Sequence, residues 1–258
     1  MSNTMGDDNI EEPNKKRKSK WTTLYSTITR AQAEQRLNIL LHEIPVMLVD
    51  KMLATGMQNL KTDVDAMKEK IYERLLEFIE AEGYPTEANA EFKEANISEL
   101  VYGILAPIIR DIRHKTRSTI QLSREKEIIS IDNATGGQEE FVVMDRISVT
   151  ERKFVLIVEA KRTSTGEGIK QCLLTMKDAW ENNGIKYGFL YGFVTTGEDW
   201  QMIRYDGVSF KKARKIVVLF EGMDQEKELW MKEYSVVVDC LYFALNNGGI
   251  ITKDVVVA

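Results

Sequence analysis

The sequence has few of the residues that build disulfides and zinc sites. Only two cysteines and two histidines occur among 258 residues. Cys172 and Cys240 lie far apart, each within helically spaced apolar residues, so we expect two reduced, buried thiols. His42 and His114 stand in no Cys/His cluster, which leaves a structural zinc site without a ligand set.

Long apolar runs and a bulk positive charge are also missing. No stretch approaches the about 18 apolar residues that span a bilayer, and the first residues lack the apolar segment of a secretory signal. We therefore expect a protein of the nucleus or cytoplasm without a membrane partner. The net charge of −5 means that a nucleic acid would have to meet a local positive surface. An apolar content of 43% still supplies a full core.

The first twenty residues are almost free of apolar side chains, which predicts a disordered tail over 1–20. Its second half is basic, with Lys15, Lys16, Arg17 and Lys18 following Pro13. Such a cluster is typical of segments that bind a nuclear import receptor or phosphate. The alternative is a solvated tail that only adds solubility.

Apolar residues spaced by threes and fours predict a helical extension over 21–84. Within it, a helix from 63 to 81 carries an apolar stripe at Met67, Ile71, Leu75 and Ile79. We interpret this segment as a packing or partner surface, because nothing in it resembles a reactive site.

The remaining residues, 85–258, alternate between helical and strand periods. A helix beginning near 86 or 98 and ending at 113 precedes three predicted strands at 118–131, 140–149 and 153–161, the first two separated by a turn at Gly136-Gly137. A helix at 166–182, strands at 186–196, 199–205 and near 215–220, and a helix at 224–246 follow. This order predicts an α/β fold with a mixed sheet flanked by helices.

The third of these strands ends in an unusual way. The apolar run Phe154 to Val158 finishes in Glu159 and Lys161, which share one face of the strand because side chains alternate. Thr150-Glu151-Arg152 predicts a short hairpin turn, and the resulting register places Asp145 opposite Glu159. Cross-strand neighbours have Cβ atoms about 5 Å apart, so we expect the two carboxylates to share a divalent ion.

Two carboxylates and a carbonyl favour a hard ion, Mg²⁺ or Mn²⁺, over zinc. Lys161, on the same face, would orient or help to deprotonate a water on that ion, while the ion polarises a phosphoryl oxygen. The pattern therefore indicates phosphodiester hydrolysis.

These residues resemble the PD-(D/E)XK nuclease superfamily. Asp145, thirteen intervening residues and Glu159-Ala160-Lys161 at the end of an apolar strand are similar to its motif, although Met144 stands where the motif name has proline. The resemblance implies that Asp145 and Glu159 bind metal, that Lys161 serves the attacking water, and that the Ala160 carbonyl is a further ligand.

The likeness covers residues 86–205, whose element order resembles the restriction-endonuclease-like core, helix, three strands, helix, strand. The stretch 171–205 also resembles uncharacterised fungal proteins and Crinkler-type effectors that carry such cores. In the superfamily an acid from the first core helix often joins the site, which points to Glu99, with Glu91 and Glu94 as rivals. Some branches add a glutamine after the lysine, and Gln171 fits that position.

Basic residues cluster between the first core helix and the first core strand. Arg113, Lys115, Arg117 and Arg124 are our candidates for phosphate contact with DNA or RNA, the alternative being a solvated face. We thus predict a metal-dependent nuclease. The alternative is a catalytically inactive nuclear effector that binds nucleic acid or protein on a nuclease-like scaffold. The sequence leaves a homodimer open.

Overall fold

The structure is a computed structural model and describes residues 20–53, 57, 60–84, 91–146, 152–162, 165–183 and 188–249. The proposed import residues Lys15, Lys16, Arg17 and Lys18 lie outside these ranges, as does the turn at 147–151.

The described residues form a mixed α/β fold around one sheet of nine strands. Its order is β1-β4-β5-β6-β7-β8-β2, with β3 also on β4 and β9 also on β7. Strands β1 to β9 are Thr23–Leu24, Val46–Met47, Gln121–Ile129, Thr135–Arg146, Arg152–Ala160, Leu190–Thr195, Asp199–Tyr205, Phe210–Ala213 and Ile216–Val217. The predicted α/β class with a mixed sheet is confirmed at this level.

Helices cover both faces of the sheet. Helices α1 to α7 are Arg30–Leu37, Val49–Leu53, Lys61–Glu82, Glu94–Thr116, Thr165–Asn183, Lys227–Leu229 and Val236–Asn247. Helices α3, α4 and α7 contribute to the apolar core on one face, and α1 and α5 contribute to the core on the other. No helix in the described ranges is long and apolar enough to cross a membrane.

Strand β5 runs through the centre of the sheet, antiparallel to β4 and parallel to β6. Val155 to Val158 are almost fully buried, with side chains in both apolar cores. The apolar run at 154–158 thus forms the two-sided strand that its composition predicts. This strand carries Glu159 and Lys161 to the edge of the core.

Several boundaries differ from the prediction. The pair Gly136-Gly137 lies inside β4 rather than in a turn, because the N-terminal segment crosses it closely: added Cβ atoms would meet Trp21 at 2.8 Å and Tyr25 at 2.6 Å. The expected strand near 215–220 is only Ile216–Val217. A π-helical turn at Trp230–Tyr234 interrupts the expected closing helix.

Candidate active site

The predicted register between β4 and β5 is wrong. Asp145 lies opposite Lys153, six residues before Glu159, and β5 rises roughly 3.3 Å per residue, so Asp145 is about 20 Å from the acid it was expected to face. Asp145 instead accepts a hydrogen bond from the Thr119 hydroxyl at 2.7 Å. The structure therefore does not bring Asp145 into the candidate site.

The apolar pattern of the two strands explains the observed register. Phe141, Val142 and Val143 pair with Val158, Ile157 and Leu156, so the apolar run of one strand lies along the apolar run of the other. Any slip would place apolar side chains opposite charged ones. A bulge between Val143 and Met144 moves the partner of Asp145 one residue farther from Glu159.

Glu140 lies at the end of the β4–β5 ladder, where Asp145 was expected. The last ladder pair at this end is Phe141 and Val158. Beyond it, the Ala160 N–H donates to Glu140 Oε2 at 3.1 Å, and the Ser98 hydroxyl of α4 donates to Glu140 Oε1 at 3.1 Å. A glutamate side chain thus takes the place of a strand carbonyl beside the Glu159-Ala160-Lys161 ending.

Lys161 joins acids from two elements. Its Nζ lies 2.7 Å from Glu159 Oε1 and 3.6 Å from Glu94 Oε1, at the first residue of α4. Burial lowers the pKa of Lys161, but the charges of Glu159, Glu94 and Glu140 outweigh it, so the pKa is raised overall. Lys161 is therefore held as an ammonium.

Carboxyl groups crowd this part of the sheet. Burial, and then the negative charges of Glu159 and Glu94, raise the pKa of Glu140 to about 7. Glu139 is also buried, and Thr175 of α5 donates to its Oε1 at 2.5 Å. Burial and the adjacent Glu159 raise the Glu139 pKa well above its usual range.

The carboxyl of Glu139 lies within hydrogen-bonding reach of Glu159. Oε2 of each is buried and finds no donor among the described residues. Two ionised carboxylates so placed repel each other, which adds to burial in raising the pKa of Glu139.

Helix α5 closes the site from the other side. Gly168 lets the helix approach closely, because an added Cβ would lie 2.6 Å from Val194 Cγ1 and 3.3 Å from Lys161 Cγ. One turn later, the Cys172 thiol is fully buried, and burial together with Glu139 and Glu159 raises its pKa. It is a packing thiol rather than a nucleophile.

The donor set suits a hard divalent cation. Within the described ranges, no three His, Cys, Asp or Glu side chains form a ready metal-binding group. Mg²⁺, however, is commonly held by one or two carboxylates and keeps several waters. Glu140 and Glu159 supply two carboxylates, one with a buried oxygen that lacks a donor in the described part of the chain. A divalent ion would offset the negative charge that raises the Glu140 pKa.

The structure separates the other predicted site residues. Glu99 lies 3.0 Å from Arg124 in an exposed ion pair, and its rival Glu94 is the α4 acid that approaches Lys161. Gln171 is half-buried on α5, beside the stripe formed by Gly168, Cys172 and Thr175. Ala160 is fully buried, and its N–H is bound by Glu140.

The predicted nucleic-acid residues fall into two groups. Lys115 lies 2.8 Å from both Asp63 and Asp111, and Arg124 is paired with Glu99. Arg113 and Arg117 instead line an open groove. The structure thus leaves two of the four positions facing a groove without a carboxylate partner in the described part of the chain.

Glu140 is the residue that sequence reasoning missed. The apolar run beginning at Phe141 was available as a signal, since pairing it with the run at 154–158 places Glu140 beside Glu159. Assuming a three-residue turn placed Asp145 there instead.

Comparison with models of known protein families and with curated proteins finds no match for this chain. The likeness to the PD-(D/E)XK nucleases therefore stays a prediction from the sequence.

Proposed function

We propose that the chain is a nuclease that uses Mg²⁺ or Mn²⁺ to hydrolyse phosphodiester bonds in DNA or RNA. The observation that carries this proposal is the convergence of Glu94, Glu140, Glu159 and Lys161 where the β4–β5 ladder ends. The proposal differs from the sequence prediction, since Glu140 takes the metal-binding role first given to Asp145, Glu94 replaces Glu99 as the α4 acid, and Gln171 receives no role.

The element order supports a restriction-endonuclease-like core. Helix α4 is followed by β3, β4 and β5, then by α5 and β6. The candidate residues come from the start of α4, from the middle of β4 and from the end of β5, which supports the proposal.

Each side chain has a distinct role in this proposal. Glu140 and Glu159 would hold the ion, with the Ala160 carbonyl as a further candidate ligand. The bound ion supplies positive charge that polarises the scissile phosphate and acidifies a water molecule. Lys161, held as an ammonium, donates hydrogen bonds to the attacking water or to a phosphoryl oxygen on which charge develops. Glu94 holds the lysine in place from α4.

Paired substitutions test the proposal and the corrected register together. Purified protein is incubated with labelled single-stranded and duplex DNA and RNA in Mg²⁺ or Mn²⁺. We expect Lys161→Ala, Glu159→Gln and Glu140→Gln each to lower the cleavage rate by about a hundredfold or more, because each removes a charged group from the reacting centre. Asp145→Asn is the matched control and should cleave like the wild type.

Equal cleavage by all variants would overturn the proposal. Loss in Asp145→Asn with full activity in Glu140→Gln would contradict the assignment of Glu140. Calorimetric titration with Mn²⁺ addresses the inactive alternative, in which Lys161 neutralises the acids without an ion: wild-type protein that neither binds Mn²⁺ nor cleaves would favour a binding effector. Nuclear import through the basic tail stays a prediction.

A further inference from the structure

An open groove of about 630 Å³ lies between the second half of α4 and the start of β3. We call it the arginine groove. Its lining includes four basic side chains, Arg110, Arg113, His114 and Arg117, and four apolar or aromatic ones, Tyr102, Ala106, Ile109 and Leu122.

The arginines of the groove are available to a ligand. No carboxylate in the described part of the chain forms a salt bridge with Arg110, Arg113 or Arg117, whereas the nearby Lys115 and Arg124 are both paired. Thr119, which also lines the groove, donates a hydrogen bond to Asp145. In a chain of net charge −5, three such guanidinium groups in one groove form a local positive surface suited to phosphates.

Arg117 occupies a backbone position that favours glycine. It follows the last residue of α4 in the left-handed conformation, with φ of 55°. Glycine is the usual residue at such a helix end, and another side chain costs roughly 1 kcal/mol there. The fold gains nothing visible from this arginine within the described residues, so its place in the groove points to a ligand.

The apolar part of the groove distinguishes between polynucleotides. Tyr102 is 39% exposed, and the Arg124 guanidinium lies 5.7 Å from its ring centroid. Ala106, Ile109 and Leu122 continue an apolar floor beside it. A duplex presents phosphates and base edges, whereas a single strand also exposes base faces that stack on aromatic and guanidinium groups.

Helix α4 and the β3–β4 pair run from the groove toward the candidate active site. Tyr102 lies one helical turn after Ser98, whose hydroxyl donates to Glu140. On the neighbouring strand, Arg124 pairs with Phe141, the residue after Glu140. A strand bound by Arg113 and Tyr102 would therefore continue past α4 toward Glu140 and Glu159.

We infer that the arginine groove binds a single-stranded polynucleotide and leads it to the candidate active site. The role as a substrate path rests on the proposed nuclease function, but binding in the groove is measurable without catalysis.

The test is fluorescence anisotropy of the full chain in EDTA, with labelled single strands of DNA and RNA and a duplex of the same sequence. We expect the single strand to bind at least about tenfold more tightly than the duplex. Arg110→Glu with Arg113→Glu should weaken single-strand binding by about tenfold or more and reduce its salt slope by about 0.7 for each phosphate that the variant no longer neutralises. Lys51→Glu with Lys232→Glu makes the same charge change outside the groove and should have little effect.

Two further variants separate binding from folding. Arg117→Gly relieves the left-handed strain, so it should keep or raise the melting temperature while weakening binding about threefold or more. Tyr102→Ala should weaken binding of the single strand more than binding of the duplex.

The inference is overturned if the wild type binds no single strand, if duplex binds more tightly, or if both charge-reversal pairs weaken binding equally. Comparing the affinities for the DNA and RNA single strands shows whether the groove prefers deoxyribose or ribose. Wild-type binding without cleavage would contradict only the proposed nuclease function. Cleavage together with unaltered binding by the groove variants would contradict only the inference about the groove.

Discussion

At the scale of single residues, Glu140 is the group of the candidate site whose charge changes with pH near neutrality. Burial and the charges of Glu159 and Glu94 raise its pKa from 4.5 to about 7. A carboxyl whose pKa is higher in the folded state favours folding most at low pH, and this contribution is lost as pH rises through the folded-state value.

We therefore predict that metal-free wild-type protein loses stability between about pH 4.5 and 7 more steeply than Glu140→Gln, which has no titratable group at this position. Urea unfolding in EDTA at a series of pH values measures the difference. Glu139, also of raised pKa, remains in both proteins and cancels in the comparison. Glu99→Gln changes an exposed glutamate on the same helix as Glu94 and should keep the wild-type slope. Identical slopes in wild type and Glu140→Gln would contradict the buried, charge-crowded setting of Glu140.

The single residues also show how far the sequence predicts this site. Glu159 and Lys161 are recognisable because a charged ending on an apolar strand is a local signal. The partner of Glu159 depends on register, which is set by apolar pairing along the whole of β4 and β5 and by a bulge. Local spacing therefore selected Asp145, five residues after Glu140, the residue that lies beside Glu159.

At the scale of elements, the approach of α5 to β5 and β6 positions Lys161. Gly168→Ala would place a Cβ 2.6 Å from Val194 Cγ1 and 3.3 Å from Lys161 Cγ. We predict that it destabilises the protein by about 1–3 kcal/mol through overpacking and lowers any cleavage activity through displacement of the lysine.

The matched control for this change is Gly103→Ala in α4. An added Cβ there meets nothing within 4 Å, so the better helix propensity of alanine should stabilise the protein by about 0.5–1 kcal/mol. Urea midpoints of both variants check the pair. A neutral Gly168→Ala would show that α5 has room to move from the sheet.

Element periodicity explains which parts of the fold are predictable. Helices α3, α4 and α5 repeat apolar residues over several turns, and the sequence locates each of them. Strands β1 and β2 have two residues each, too few for any period, and they form only because the sheet already presents an edge. The segment 21–84, predicted to be helical, therefore contains two short strands that its local sequence pattern does not predict.

At the scale of the whole molecule, the N-terminal segment from Thr23 to Leu37 is built into the fold. Strand β1 pairs with β4, and the buried Lys170 of α5 donates to the carbonyl of Ile28 at 2.6 Å. Tyr25 reaches farther, donating its hydroxyl to the buried Asp178 of α5 at 2.7 Å. This segment covers the outer side of the helix that closes the candidate site.

Tyr25→Phe tests this connection. Burial raises the pKa of Asp178, while Tyr25, Arg36 and Thr135 counteract burial by stabilising its charged form. Removing one donor from a buried carboxylate should lower the free energy of unfolding by about 1–3 kcal/mol at neutral pH. Tyr84→Phe is the control, since the Tyr84 hydroxyl has no hydrogen bond among the described residues. Hydrogen exchange should accelerate in both α1 and α5 of Tyr25→Phe, because the hydrogen bond joins the N-terminal segment to that helix. Acceleration confined to the N-terminal segment would mean that α5 keeps its place without the Tyr25–Asp178 hydrogen bond. The candidate site would then be independent of the segment that covers α5.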